Sequence, residues 1–342
     1  MTRAPASEAE LEELLSRPTP GVLDTLQRTP GDLLVLGAGG KMGPSLAVMA
    51  RRAIDQLGRK DRVIAVSRFG EPGVIQRLVA AGVEPRQLDL LDPAALAALP
   101  DASSIIYMAG QKFGTQGNPA TTWAMNAALP AYVARRFAGT RTVVFSTGNV
   151  YPLTPVGGAG PPEDHPVGPV GEYAMSCLAR ERVFEYHALA AKSPVLIFRL
   201  NYAVELRYGV LVDTGSRVLR GEPVPLTMGH VNLIWQGDAN ARALQCLDHA
   251  STPATVLNVT GPEQLSIRRI AEQFGAIFGK EPRFAGTEAS DALLSNARRS
   301  VELFGESTVS IETLIAWTAE WLKHGGRLLG KPTHFEERKG KF

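Results

Sequence analysis

Short apolar runs alternate with helical patterns along most of this chain, and no other feature restricts its fold as much. The runs are "DLLVLG" (Asp32–Gly37), "RVIAVS" (Arg62–Ser67), "PRQLDL" (Pro85–Leu90), "SSIIYMA" (Ser103–Ala109), "TVVFST" (Thr142–Thr147) and "PVLIFRL" (Pro194–Leu200). Runs of this length, apolar nearly throughout and separated by helices, read as strands buried on both faces. Parallel strands joined by helices require right-handed crossovers and build a doubly wound sheet. The chain is therefore expected to be an α/β protein.

Around that sheet the sequence divides unevenly. Residues 1–30 read as an N-terminal arm, one helix (Ala9–Ser16) followed by a proline-broken stretch. Residues 31–200 carry the βα rhythm. Beyond residue 201 it loosens into a smaller α/β lobe, 201–330, with a late strand "ATVLNVTG" (Ala254–Gly261) and helices at Ile267–Phe278 and Ile311–His324. A C-terminal tail, 331–342, closes with "ERKGKF" (Glu337–Phe342), an end that reads as solvated. A net charge of +2 gives no field suited to nucleic acid or a membrane surface. No stretch of 18 apolar residues suggests a membrane span, and the glutamate-rich start is not a signal peptide. Two cysteines, Cys177 and Cys246, make no disulfide framework. A cytoplasmic location is expected. The histidines show no ligand spacing, so no metal is expected.

Where the first strand meets the first helix stands "VLGAGGKMG" (Val35–Gly43). Gly37, Gly39, Gly40, Lys41, Met42 and Gly43 form a turn that lets the backbone approach a pyrophosphate at a helix N-terminus, where free N–H groups and the dipole attract negative charge. This points to a Rossmann-type sheet with a dinucleotide cofactor. At the end of the second strand an acid would bind the adenosine ribose, but the chain has Ser67 and Arg68. Arg68, helped by Lys41, suits a 2′-phosphate, which favours NADP over NAD. Asp89 and Leu90 suit an adenine-edge contact, and Ala109 and Gly110 permit close approach of the cofactor.

The remaining motifs are "MNAAL" (Met125–Leu129), "FSTGNVY" (Phe145–Tyr151) and "EYAMSCLARE" (Glu172–Glu181). With the glycine turn, "LDLLD" and "MAG", they resemble, in order over about residues 32–325, the extended short-chain dehydrogenase/reductases. The nearest group is the NAD-dependent epimerase/dehydratase family. The resemblance implies roles for Thr147, which hydrogen-bonds the reacting oxygen, for Tyr173 as acid/base, and for Asn126, which shapes the site. It also implies a homodimer through the helices near Asn126 and Tyr173. At the family's lysine position stands Cys177. A neutral thiol neither grips the nicotinamide ribose nor lowers the tyrosine pKa. Lowering that pKa from about 10 to about 7 is worth roughly 4 kcal/mol towards a tyrosinate base. A protonated tyrosine can still donate, so carbonyl reduction suffers less than alcohol oxidation. Arg180, seven residues after Tyr173, is one candidate substitute cation; Cys177 itself reads as a small, semi-buried residue.

Two further departures bear on the substrate. Gly148 and Asn149 follow Thr147 where dehydratases of the family carry an acidic pair. Val231 falls where many nucleotide-sugar members carry an arginine, and Asn201 is one place off the usual asparagine. A pyrophosphate without its cation is poorly held, so a sugar, sugar acid or lactone is expected rather than a nucleotide sugar. The leading expectation is an NAD(P)-dependent oxidoreductase or epimerase acting on such a molecule. The alternative is a cofactor-binding regulator or scaffold that has lost turnover with the lysine.

Overall fold

The computed structural model describes residues 3–112, 117–331 and 333–341. Seven parallel strands form its central sheet: β1 (Leu33–Leu36), β2 (Val63–Ser67), β3 (Glu84–Gln87), β4 (Ser104–Tyr107), β5 (Arg141–Thr147), β6 (Val195–Leu200) and β7 (Thr255–Val259). Their order is β7-β6-β5-β4-β1-β2-β3. The winding reverses between β1 and β4, whose register pairs Leu36 with Tyr107. At such a reversal the loops leaving the two strands diverge and open a crevice.

Side-chain alternation in β1 shows why the sheet is covered twice. Leu33 and Val35 enter one cluster, with Leu46, Ala50 and Ile54 of helix α3 (Gly43–Gln56). Leu34 and Leu36 enter another on the opposite face, with Leu129 and Val133 of α4 (Leu129–Arg136) and Phe184 of α5 (Gly171–Ala191). The period of two thus sorts one apolar run onto two faces.

The smaller lobe packs α6 (Val210–Arg220), α8 (Ile267–Phe278) and α9 (Ile311–Lys323) around Phe274, Trp317 and Trp321. The boundary at residue 200 is not a clean cut. β7 joins the sheet edge beside β6, pairing Leu257 with Phe198, and α7 (Gln236–Gln245) lies against α3 on the sheet side. Apolar β7 is complementary to an open sheet edge, which the lobe alone does not offer.

Both chain ends depart from expectation. The arm holds two helices, α1 (Glu8–Leu15) and α2 (Pro20–Arg28), capped by Ser7 and Thr19. Leu11 and Leu15, one turn apart, sit fully buried in the lobe's core, while Val22 and Leu26 sit in the sheet's core. Arg207 donates to Glu12 at 2.7 Å, and Asn240 donates to the Leu15 carbonyl at 3.2 Å. The closing segment is only partly solvated, with Lys339 and Lys341 exposed but Arg338 paired with Asp291, and Pro332 and Phe342 lie outside the described residues. Thr333 donates from its backbone N–H and its hydroxyl to Asp213, at 2.8 and 2.6 Å, and Phe335 is buried in the lobe. Gly340 lies so close to Gly171 that a Cβ on Gly171 would stand 2.3 Å from its carbonyl oxygen. Among the described residues no helix is long and apolar enough to cross a membrane.

A core role for the arm makes a measurable difference. Leu11→Ala should lower the unfolding free energy by about 2–5 kcal/mol, as for buried leucines elsewhere, measured by urea denaturation. A change below about 0.5 kcal/mol would mean the arm lies loosely on the surface.

Candidate active site

The glycine turn after β1 is built for close approach. Gly37 has φ +91°, and a Cβ there would lie 2.4 Å from the Ala109 nitrogen. A Cβ on Gly43 would lie 2.4 Å from the Ala38 carbonyl oxygen. At Gly40 the nearest atom to a Cβ is the Gly37 carbonyl at 3.6 Å, so Gly40 alone faces open space in the cleft. No side chain caps the N-terminus of α3, whose backbone N–H groups and positive dipole end point at the same cleft. Gly39 is bare because Ser67 fills the space beneath it, its hydroxyl 2.5 Å from where a Cβ would be. This cradle fits a dinucleotide pyrophosphate.

The adenosine end is less well furnished for an extra phosphate. Arg68 is exposed and lies 3.9 Å from Asp89, an acid that competes for it. Lys41 does not assist Arg68. Its ammonium donates to the Ala203 carbonyl at 2.9 Å and lies 3.8 Å from the centre of the Tyr208 ring, facing the lobe. Residue 41 is in the turn as expected, but its side chain runs to the lobe and not to Arg68. Leu90 is buried in the core, so its side chain offers nothing to a ligand, whereas Asp89 is half-exposed.

At the other end of the cleft Thr147 closes β5 and Tyr173 opens α5. Their side chains share a hydrogen bond, and Tyr173 makes another with Cys177 one turn further on. Thr147 Oγ1 accepts from the backbone and the side-chain amide of Asn149, at 3.2 and 2.9 Å, which leaves the Thr147 proton free to face Tyr173. Burial pushes the Tyr173 phenol well above the usual tyrosine range, and Cys177 adds to that; Arg180 and the Thr147 bond oppose it. Tyr173 is therefore protonated at neutral pH. Burial also raises the Cys177 thiol, against the pull of Arg180, so the thiol is neutral.

Arg180 does reach this site. It is buried, donates to the Phe145 carbonyl and to Asn126 Oδ1, each at 2.8 Å, and its Nε has no acceptor. Gly110 is the residue that makes room: a Cβ there would be 2.3 Å from Arg180 Nη2. Asn126, wholly buried in a π-helical turn (Ala124–Ala128), also bonds the backbone N–H and carbonyl of Gln111 and the Ser176 hydroxyl, at 2.8, 2.9 and 3.0 Å. It fixes the loop after β4 to α5. Beneath lies a dry ion pair, Arg199 to Glu181 at 2.7 Å, with Ser146 and Tyr151 bonded to its two partners.

Gly37, Gly40, Lys41 and Met42 of the turn, Gly110, Thr147 and Tyr173 thus meet on one cleft of about 350 Å³, with Cys177 and Asn126 directly behind its wall, while Ala109 is buried in the core and, like Gly39 and Gly43, does not line it. Ser67, Arg68 and Asp89 stand together at the far adenosine end, outside that cavity. Residues that the sequence reading missed also line the cavity: Lys112, Asn149, Tyr202, Tyr208, Lys331 and Thr333. Only Asn149 carried a local signal, its place two residues after a threonine, where a hydroxyl commonly accepts a backbone N–H. Burial pushes the Lys41 ammonium down to about 7 and that of Lys112 to about 8, and each lies within the other's field or that of Cys177.

A glycine cradle at the reversal of a parallel sheet, opposite a paired threonine and tyrosine, defines a dinucleotide-binding enzyme of the oxidoreductase type. The chain belongs to the NAD dependent epimerase/dehydratase family, whose model matches residues 33–204. No curated protein matches its sequence. Among solved structures it is similar to UDP-glucose 4-epimerase from Thermotoga maritima, solved with UDP-glucose (18% identity, 86% of this chain and 99% of that one, TM-score 0.70). It is equally similar to UDP-glucuronic acid 4-epimerase from Bacillus cereus, solved with NAD (18%, 86% and 99%, 0.71). A third is the Bordetella bronchiseptica enzyme WbmG, solved with NAD and UDP (18%, 90% and 98%, 0.70). At these identities the likeness establishes the fold.

The cradle can be probed without a substrate. Gly40→Ala introduces no clash, so the thermal midpoint should hold, while the added methyl obstructs the cleft. Calorimetric titration should find the nicotinamide dinucleotide bound at least about tenfold more weakly. Undiminished affinity would place the pyrophosphate elsewhere.

Proposed function

We propose that this protein is an NAD(P)-dependent oxidoreductase or epimerase acting on a small sugar-like molecule, with Tyr173 as proton donor. The observation that carries the proposal is the Tyr173–Thr147 hydrogen bond on the wall of the dinucleotide cleft. When bound, the reduced nicotinamide supplies a hydride. Thr147 and Tyr173 hold the substrate oxygen, and Tyr173 gives its proton to that oxygen as charge develops there. Cys177, which stands where the family's lysine is expected, supplies no charge, and a phenol kept protonated suits reduction better than oxidation.

Several features bear on the substrate. Val231 is fully buried in the lobe core, paired with Leu265, so nothing at that position can clamp a nucleotide pyrophosphate. Lys41 and Lys331 face the cavity and favour a carboxylate, which selects a sugar acid within the expected class. The competing occupant is a nucleotide sugar, since the Thermotoga maritima and Bordetella bronchiseptica enzymes were solved with UDP-glucose and UDP. The homodimer is supported by Tyr132 of α4 and Met175, Tyr186 and Leu189 of α5, which are exposed; sedimentation as a single chain would remove it.

Turnover of NADPH or NADH with D-glucuronate, D-glucono-lactone, D-glucose, UDP-glucose and UDP-glucuronate tests the reading. D-glucuronate, the lactone or the free sugar should react. Tyr173→Phe should lower that rate by on the order of 10²-fold or more. Reaction with the UDP-sugars alone would overturn the substrate class. Dinucleotide binding with no turnover of any compound would favour the regulator or scaffold reading.

Arg68 supports NADP as the preferred cofactor, now without help from Lys41 and against competition from Asp89. A preference of about 1 kcal/mol for NADPH over NADH is expected, and Arg68→Ala should abolish it. Equal affinities in the unaltered protein, measured by calorimetry, would end the preference.

A further inference from the structure

Arg180 is a buried cation without a counter-charge. It is 5% exposed and lines the cleft with Tyr173, yet among the described residues no carboxylate pairs with it. We propose that Arg180 is a positioning residue for the reaction, and that its missing counter-charge is the phenolate left on Tyr173 when that side chain gives its proton to the substrate oxygen. The inference rests on the oxidoreductase reading above and deepens it.

Three observations carry the proposal. The guanidinium donates only to neutral acceptors, the Phe145 carbonyl and Asn126 Oδ1, each at 2.8 Å, and its buried Nε has no acceptor. The adjoining carboxylate, Glu181, is taken by Arg199 and Ser146. Burying an uncompensated charge is costly, and other buried arginines of this chain avoid it: Arg51 has Asp55, Arg199 has Glu181, and Arg207 has Glu205 and Glu12. Arg242 lacks a carboxylate too, but it donates to three oxygens and does not line the cleft. The second observation is the space kept for the charge, since a Cβ on Gly110 would stand 2.3 Å from Arg180 Nη2. The third is a chain of bonds that holds the guanidinium in register with the proton donor. Asn126 accepts from Nη2 and donates to the Ser176 hydroxyl at 3.0 Å, and that hydroxyl donates to the Tyr173 carbonyl at 2.9 Å.

The chemistry gives the charge its use. At rest Tyr173 and Cys177 are both neutral, because burial keeps the phenol and the thiol protonated. As the substrate carbonyl carbon takes a hydride from the reduced nicotinamide, leaving it oxidised, the Tyr173 O–H bond breaks. The proton goes to the substrate oxygen and the electron pair stays on the phenol oxygen. In a dry wall an isolated phenolate would be expensive. Arg180 offsets that cost, and it already draws the Tyr173 phenol down against the effect of burial. Its own charge is constant at all accessible pH. The other ionisable groups that face the pair are Cys177 and Glu181 on α5, Tyr107 on β4 and Lys112 in the loop that follows β4.

Two readouts test this on the full chain. The first needs neither substrate nor cofactor: Tyr173 is replaced by difluorotyrosine, a more acidic phenol whose ionisation is followed by its fluorine resonance. Arg180→Gln should raise the pKa of that phenol by at least about one pH unit. Gly110→Ala keeps the arginine but pushes Nη2 aside; it should raise the pKa as well, and it decides the matter if Arg180→Gln does not fold. An unchanged pKa in either folded variant would overturn the proposal. The second readout uses a substrate found by the panel above. Arg180→Gln should lower kcat by on the order of tenfold or more while dinucleotide affinity is kept, and Arg180→Lys should recover part of the loss. Cys177→Lys, placed in the Arg180→Gln protein, should also recover turnover, because it returns a cation to α5 without remaking the bonds to Asn126 and Phe145. No recovery there would reduce Arg180 to a structural strut and overturn the inference. An Arg180→Gln protein with unchanged kcat would overturn it too and leave the oxidoreductase reading intact; failure of the unaltered protein to bind any nicotinamide dinucleotide would defeat the reading itself.

Discussion

Among the described residues a single dry ion pair joins helix α5 to the sheet. Glu181 of α5 and Arg199 of β6 are almost fully buried, and each reaches further: Glu181 to Ser146 of β5, Arg199 to Tyr151, and Tyr151 to Asn258 of β7. Two charges removed from water are expensive, and their attraction compensates only when the remaining donors and acceptors are satisfied. Here three strands and a loop supply them. Any rotation of α5 would break several of these bonds at once in a medium of low dielectric. The position of Tyr173 relative to Thr147 is therefore fixed from below, two turns further along the helix.

The strands were legible because their composition is dictated by burial on both faces, and the glycine turn because only glycine fits where Ala109 and the Ala38 carbonyl press on it. Thr147 and Tyr173 were singled out by the resemblance and stand side by side in the structure, and the helix period placed Cys177 beside the tyrosine. Other features were not. Helix α2 starts with Pro20 after Thr19, a capping pair that also reads as a break. β7 was seen as a strand, but a short apolar run does not say which sheet edge it completes. The tail is held by Thr333, Phe335 and Arg338, isolated contacts with no period to detect. Lys41 was placed in the right turn with its side chain facing the wrong way, because sequence position does not fix direction within a turn.

The charge at the site follows the same division between local and tertiary information. Spacing along α5 accounts for what the helix lacks, a cation one turn after Tyr173. It says nothing of Lys112, which the loop after β4 brings to the lining of the cavity. It says little of Arg180, whose place beside the tyrosine depends on Gly110 having no side chain. A site whose motif is incomplete in sequence has to be read in three dimensions.

The N-terminal arm has a mechanical consequence. α1 keeps its leucines in the lobe's core, while α2 keeps its own in the core of the sheet, and Arg207 and Asn240 fasten α1 further. The lobe cannot swing away from the sheet as a rigid body without pulling apolar side chains into water, about 1.5–3 kcal/mol for each large one. A hinge between the two halves is thereby locked. Entry to the cleft is left to parts that can move without opening a core, the single side chains on its wall. The arm acts as a brace that makes the gate small.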